Sequence, residues 1–534
     1  MQESLWHKDE SVPLVDHTVG SLLAARAGEH ADAPALVGNA YRDGSQRRLT
    51  YGELYAEARQ VARALLRLAE PGEFVALWAQ NIVEWPIIQY GAALAGVYLV
   101  ALNPVLRKND LSYALNHSES VVLVHADRSR EYDMASVVAS VRDECPKLRH
   151  VISLSDWDSW LDSGDEHEPL SDCDTDSPVM LQYTSGTTGK PKGVLLRHRS
   201  LVNVAKLTMD TAEVQPGAVT VNPLPMFHTA ACVIGTLGPL WLGGCEILIE
   251  RFEPSAVLDV LRTERADVLF YVPTVLGSLI ETAKKTGEPA PRLTTVMGGA
   301  AKVPRPMIEA AETLFGASVH NLFGQTELAP VLTMTRRGDT RDDQVNTVGR
   351  PLPQVDCKII DPATGQIQPL GVRGEICARG YQQLVEYLHD PDATARTVDA
   401  EGWVHTGDLG SMDERGMITL GGRIKDLIIR GGENIAPAEI EACLLNHEAV
   451  AEVSVIAVPD DKWGETVGAI VRLRDRPRPG LRDELDAVCR ARLAAYKIPQ
   501  HWLFADELPT TPTGKVQKFK LVDAVMRGAL TQLP

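Results

Sequence analysis

The stretch Tyr183-Thr184-Ser185-Gly186-Thr187-Thr188-Gly189-Lys190-Pro191-Lys192-Gly193-Val194 decides how this chain is read. It follows the apolar run Pro178 to Leu181, so the sequence predicts a strand opening into a loop. The glycines permit tight turns, while successive N–H groups, three threonines, a serine and two lysines offer donors and positive charge. That is the composition of a polyphosphate cradle. A P-loop of the GxxxxGK[ST] type is excluded, because Pro191 follows Gly189-Lys190 where a hydroxyl residue is required. A Ser/Thr/Gly surface turn would share the residue types but not the whole twelve-residue string.

Around this loop, short β-branched runs recur at Phe74 to Trp78, Ser120 to Val124, Val151 to Leu154, Val219 to Val221, Glu246 to Ile249 and Val268 to Val272. Segments of helical periodicity such as Tyr51 to Leu68 and Ser255 to Arg265 lie between them, and the alternation predicts a layered α/β architecture. The Asp/Ser/Glu-rich stretch Ser155 to Ser177 reads as a surface connection. After Ile360, turn pairs separate short apolar runs, which predicts a β-rich subdomain at about 355–422. From Ile424 onward, strands at Val453 to Val458 and Val467 to Leu473 alternate with helices at Pro437 to Leu445 and Leu481 to Leu493. The expected organisation is therefore a large N-terminal domain over 1–422, a junction at 423–426 and a small α+β C-terminal domain over 427–534.

Composition narrows the function. At 534 residues the chain holds more than one domain. A formal net charge of -18 argues against general affinity for nucleic acid or anionic lipid. The eight cysteines are scattered without a CxxC pair, as reduced core thiols of a cytoplasmic protein would be. The acidic N-terminal stretch lacks the pattern of a signal peptide. Two charge-poor runs, Ile87 to Leu106 and Thr229 to Cys245, are broken by Gly, Pro or Asn and read as buried elements, not membrane spans.

The twelve-residue string resembles the signature loop of the acyl-adenylate-forming superfamily, whose members include acyl-CoA synthetases, peptide synthetase adenylation domains and luciferases. The later motifs follow in that superfamily's order. Asn321-Leu322-Phe323-Gly324-Gln325-Thr326-Glu327 resembles its Tyr-Gly-x-Thr-Glu motif. The resemblance implies that Phe323 stacks on adenine, Asn321 reads the adenine edge, Thr326 touches the α-phosphate and Glu327 holds Mg²⁺. Gly298-Gly299-Ala300-Ala301-Lys302 is similar to its small-residue turn beside nucleotide and acid, with Lys302 standing where proline is common. Thr406-Gly407-Asp408 and Gly422-Arg423-Ile424-Lys425-Asp426 resemble its ribose and hinge motifs, which implies ribose contacts for Asp408 and Arg423 and a pivot at Lys425. Gly431 and Gly432 match the wall of the coenzyme A channel, and Lys515 in Pro512-Thr513-Gly514-Lys515 matches the catalytic lysine.

The resemblance thus implies ATP-dependent adenylation of a carboxylic acid, then transfer of the acyl group to coenzyme A, with Mg²⁺ at the phosphates. Bringing a carboxylate against a phosphate sets anion on anion, so Lys515, the metal at Glu327 and the loop Thr184 to Lys190 must supply compensating charge. The acid pocket is expected from His228, Thr229, Val272, Thr274, Gly298, Lys302, Leu328, Ala329 and Pro330. Its mixture of apolar and small residues favours an apolar or aromatic acid. Lys302 faces solvent or an acidic group on the substrate, and His228 is a gate, an acid-orienting donor or a structural histidine. Other members pass the acyl group to a carrier protein, oxidise luciferin or activate nitrite; a degenerate nucleotide-binding module is a further alternative. Oligomeric state is left open, a homodimer included.

Overall fold

The structure, a computed structural model, describes residues 3–163, 170, 173–184, 191–301, 303–430, 433–460, 462–510 and 516–534. Ser185, Gly186, Thr187, Thr188, Gly189 and Lys190 of the loop, together with Lys302, Gly431, Gly432 and Lys515, lie outside the described residues.

The chain divides into two compact units. One comprises His7–Asp356 with Ala378–Val404; the other comprises Met1–Trp6, Cys357–Cys377 and His405–Pro534. The larger unit carries two mixed sheets. In the nine-stranded sheet, six parallel strands lie in the order Pro34–Asn39, Cys245–Leu248, Val219–Asn222, Val268–Tyr271, Thr295–Gly299 and Ser318–Phe323. Antiparallel strands close both edges. The seven-stranded sheet includes Pro178–Thr184, paired antiparallel with Lys192–Arg197 on one side and parallel with Tyr98–Leu102 on the other.

Local chemistry explains where elements begin. The helix Tyr51–Leu66 starts at Thr50, whose hydroxyl accepts from the Glu53 N–H while the Glu53 carboxylate accepts from the Thr50 N–H. The first charge-poor run is the helix Glu84–Ala95, buried at every position, followed by the strand Tyr98–Leu102. The second is a π-helical segment, Ala230–Gly235, leading into the helix Thr236–Leu242. Among the described residues no helix is long and apolar enough to cross a membrane. Helices Pro254–Thr263, Pro273–Thr286 and Arg305–Phe315 contribute Leu258, Leu276 and Phe315 to a core with Leu269 and Val296 of the nine-stranded sheet. Within Ser155 to Ser177, residues 155–163 depart from the surface connection expected. Its helix Trp157–Leu161 buries Trp157 and Trp160 edge to face, two large apolar anchors that outweigh the polar residues between them.

In the smaller unit, a five-stranded sheet takes the order Leu5–Trp6, Val355–Ile360, Gly374–Gly380, Val404–Met412, Ile418–Arg423. A six-stranded sheet built on the hairpin Val450–Asp460 and Gly464–Leu473 packs with helices Pro437–Leu444 and Leu481–Arg492 around Ile440, Val455, Leu485 and Trp502. Among the described residues, which include all eight cysteines, no disulfide forms; Cys173 is half-buried and the rest are buried.

Candidate active site

Four adjacent parallel strands of the nine-stranded sheet deliver the expected nucleotide and acid residues at their C-terminal ends. Val219–Asn222 leads toward His228 and Thr229; Val268–Tyr271 leads to Val272 and Thr274; Thr295–Gly299 ends in Gly298, Gly299, Ala300 and Ala301; Ser318–Phe323 leads through Gly324 to Pro330. The last three strands are in register, with Tyr271 beside Gly298 and Gly298 beside Asn321. Close approach there requires glycine: a Cβ on Gly298 would lie 1.9 Å from the Tyr271 carbonyl oxygen, and one on Gly299 2.0 Å from that of Leu322.

Asn321 is buried and fixed. Its Oδ1 accepts from the Tyr271 hydroxyl at 2.9 Å, its Nδ2 donates to the Gln344 carbonyl at 2.7 Å, and its backbone N–H donates to Thr335 Oγ1 at 2.9 Å. Phe323 and Gly324 follow, half-buried. Thr326 and Glu327 open a short 3-10 turn, Thr326–Leu328, capped by Ala329 at φ 56 and followed by a cis peptide to Pro330. Glu327 Oε1 accepts from the Tyr387 hydroxyl at 2.7 Å, and the Glu327 carbonyl accepts from the Leu384 N–H at 2.9 Å. Lys192, just past the cradle, has its ammonium 4.5 Å from the Tyr387 ring centre.

The residues flanking the loop are tied down on both sides. The Tyr183 hydroxyl, beside Thr184, donates to the Ala114 carbonyl, and the Tyr113 hydroxyl donates to that of Pro191, each at 2.9 Å.

His228 is half-buried against Phe227, with ring centres 4.2 Å apart, and desolvation pulls its imidazole down to about 4. It is neutral at pH 7. The π-helical segment that follows rests on a polar core, where Glu246 Oε1 accepts from Asn222 Nδ2 at 2.8 Å and from Thr236 Oγ1 at 3.1 Å. Burial pushes the Glu246 carboxyl up to about 8, so it is largely protonated at pH 7. π-Segments mark functional regions often enough to single this one out.

In the smaller unit, Asp408 and Arg423 sit directly opposite each other on neighbouring strands. Arg423 Nε donates to Asp408 Oδ1 at 2.5 Å and Nη2 to Oδ2 at 3.4 Å. Asp408 is buried, and its N–H donates to Thr406 Oγ1. Lys425 follows, exposed, in the turn Ile424–Asp426.

Sequence reading missed Tyr387, Tyr271 and Glu246. Tyr387 is 60 residues from the carboxylate it holds and arrives by pairing with Val194, so no local pattern announces it.

Comparison with known proteins places this arrangement. The AMP-binding enzyme family profile matches residues 23–388, and the AMP-binding enzyme C-terminal domain profile matches residues 439–515. YngI of Bacillus subtilis is 35% identical, the match covering 95% of this chain and 97% of that protein. The mitochondrial medium-chain acyl-CoA ligase ACSF2 of Danio rerio is 31% identical over 96% of this chain and 89% of its own. The structure of o-succinylbenzoate CoA synthetase (MenE) from Bacillus subtilis with its acyl-adenylate intermediate superposes with a TM-score of 0.81 at 27% identity, covering 95% of this chain and 98% of that one. With its strand-end cluster, its tied loop flanks and matches that span both domain profiles, the chain belongs to the AMP-binding, adenylate-forming enzyme family.

Proposed function

We propose that this protein is an AMP-forming acid–thiol ligase that activates an apolar or aromatic carboxylic acid as its acyl-AMP and passes the acyl group to coenzyme A. The observation that carries the reading is the meeting of Gly298 to Ala301 with Asn321 to Glu327 at the C-terminal ends of adjacent parallel strands, where open α/β sheets bind ligands. Phe323 supplies the face for adenine, and Asn321, held by Tyr271 and Gln344, offers its second amide hydrogen to the adenine edge. Thr184 and the loop through Lys190 cradle the phosphates, with Thr326 at the α-phosphate.

Glu327 suits a hard cation. The Tyr387 hydroxyl engages Oε1, so Oε2 is the oxygen that Mg²⁺ would take, with water and phosphate completing its shell. Neutral His228 orients the acid as a hydrogen-bond donor beside Thr229, Val272 and Leu328. Asp408 accepts from the ribose hydroxyls while Arg423 holds its carboxylate in place. Lys515 stabilises charge developing on the phosphate, and residues 427–534 turn about the junction at 423–426, with Lys425 at its pivot.

Coenzyme A as acceptor is supported by the names of the relatives and by the surface around Arg430. There Trp463 and Tyr496 are exposed, Arg430 donates to the Tyr496 carbonyl, and the Arg430 and Lys462 cations lie 5.5 and 4.9 Å from the Trp463 ring centre. Aromatic faces rimmed by cations suit a phosphorylated nucleotide. Cysteines without disulfides suit the cytoplasmic setting proposed here.

A panel of fatty, aryl, arylpropenoic and amino acids, with nitrite included, incubated with Mg²⁺–ATP and coenzyme A tests the assignment. Thioester products confined to apolar or aryl acids are expected. Turnover with amino acids or nitrite alone would overturn the substrate class.

A further inference from the structure

We propose that Glu375, Cys377 and His405 of the smaller unit bind one zinc-class divalent ion. Glu375 and Cys377 stand two apart on the strand Gly374–Gly380 and so share a face, while His405 comes from the neighbouring strand Val404–Met412. One ligand atom from each of the three lies within 4.8 Å of the others. His405 Nδ1 is 3.6 Å from Cys377 Sγ and 2.9 Å from Glu375 Oε2.

The two spacings from His405 nearly match a tetrahedral ion. Zn–N and Zn–S bonds at tetrahedral angles put nitrogen and sulfur about 3.5 Å apart, and nitrogen and oxygen about 3.3 Å apart. The Cys–His spacing already fits, and the His–Glu pair must open by a few tenths of an ångström. A thiol, an imidazole and a carboxylate together suit Zn²⁺, whereas Mg²⁺ prefers oxygen alone. Three protein ligands leave a fourth position for water, reached from the side of His405, which is 27% exposed, while Glu375 and Cys377 are buried. The other Glu375 oxygen accepts from the Gly407 N–H at 3.0 Å, the kind of outer contact that orients a ligating carboxylate.

The His405–Glu375 hydrogen bond alone would account for those two residues as structure. It does not call for a thiol at 377, and the thiol is what turns a hydrogen-bonded pair into a three-donor set. On binding, the Cys377 thiol proton leaves to solvent, and the His405 proton moves from Nδ1 to Nε2 so that a neutral imidazole meets the ion. The site lies in a different unit from Glu327 and takes a different class of metal.

Cobalt substitution tests this on the full-length protein after chelator treatment. Titration with Co²⁺ should raise a near-ultraviolet thiolate-to-cobalt band that saturates at one equivalent per chain and is displaced by Zn²⁺. Cys377→Ser should abolish the band, and Glu375→Gln, which keeps the thiol, should weaken Co²⁺ binding tenfold or more. No band in the unsubstituted protein would overturn the site. An undiminished band in Cys377→Ser would do the same, since the thiolate would then come from another cysteine; if that variant does not fold, unchanged Co²⁺ affinity in Glu375→Gln decides equally against it.

Discussion

Tyr387 donates its hydroxyl proton to Glu327 Oε1 across 2.7 Å, and its ring carries the Lys192 ammonium 4.5 Å from its centre. One tyrosine on an edge strand thereby joins the exit of the phosphate cradle to the carboxylate proposed for Mg²⁺. Tyr387→Phe keeps the ring and removes the hydrogen bond, a loss of about 0.5–1.5 kcal/mol. The Mg²⁺ concentration giving half-maximal adenylation should rise roughly 2- to 10-fold, with little change in Tm. A superimposable Mg²⁺ curve would show that the contact does not tune Glu327.

Glu246 gives a pH dependence of defined sign. Its carboxyl titrates near 4.5 when unfolded and near 8 when buried against Asn222 and Thr236. Between those values the folded state holds a proton that the unfolded state has lost. Its contribution to stability is therefore complete below 4.5 and declines as pH rises toward 8, by at most about 1.4 kcal/mol per pH unit. Glu246→Gln preserves shape and acceptor but not the titration. Urea midpoints of variant and parent, measured from pH 5 to pH 8.5, should diverge in the variant's favour as pH rises. Parallel curves would mean that Glu246 is not buried as a neutral acid.

Asp408→Ala removes the acceptor proposed for the ribose and strands the Arg423 guanidinium that it pairs with. Nucleotide affinity should fall by the ~1.5–3 kcal/mol of a charged hydrogen bond, roughly 10- to 150-fold, as read by calorimetry with ATP. Unchanged affinity would make Asp408 a structural partner of Arg423 and nothing more.

Lys515→Ala should lower acyl-AMP formation by the roughly 10²–10³ typical of losing one electrostatic stabiliser. Thioester formation from supplied acyl-AMP should persist. Rapid-quench measurement of the two half-reactions separates them; equal damage to both would contradict a lysine that serves only the first.

Much of this fold is legible in the sequence because its strands are short β-branched runs and its helices begin at caps. Val268 to Val272 is a strand within one residue of the expected limits, Val467 to Leu473 is a strand that begins three residues earlier at Gly464, and Tyr51 opens its helix behind Thr50 as a capping box. Gly298 to Ala301 and Asn321 to Glu327 are contiguous strings at strand ends, which is why they can be picked out by eye, while Asp408 lies within the strand Val404–Met412. What lay hidden depends on partners distant in sequence. Tyr387 reaches Glu327 only through strand pairing, the π-segment after Thr229 depends on Glu246 beneath it, and Cys377 meets His405 across two strands. Trp157 and Trp160 were masked by the acidic residues around them, because average polarity conceals two well-placed aromatic anchors.

The most direct test of the central claim is exchange of labelled pyrophosphate into ATP, without coenzyme A, in the presence of Mg²⁺ and an apolar or aryl acid. The account predicts exchange that depends on the acid, with AMP as the nucleotide product once coenzyme A is added. Exchange indifferent to any acid, or ADP as the product, would contradict it.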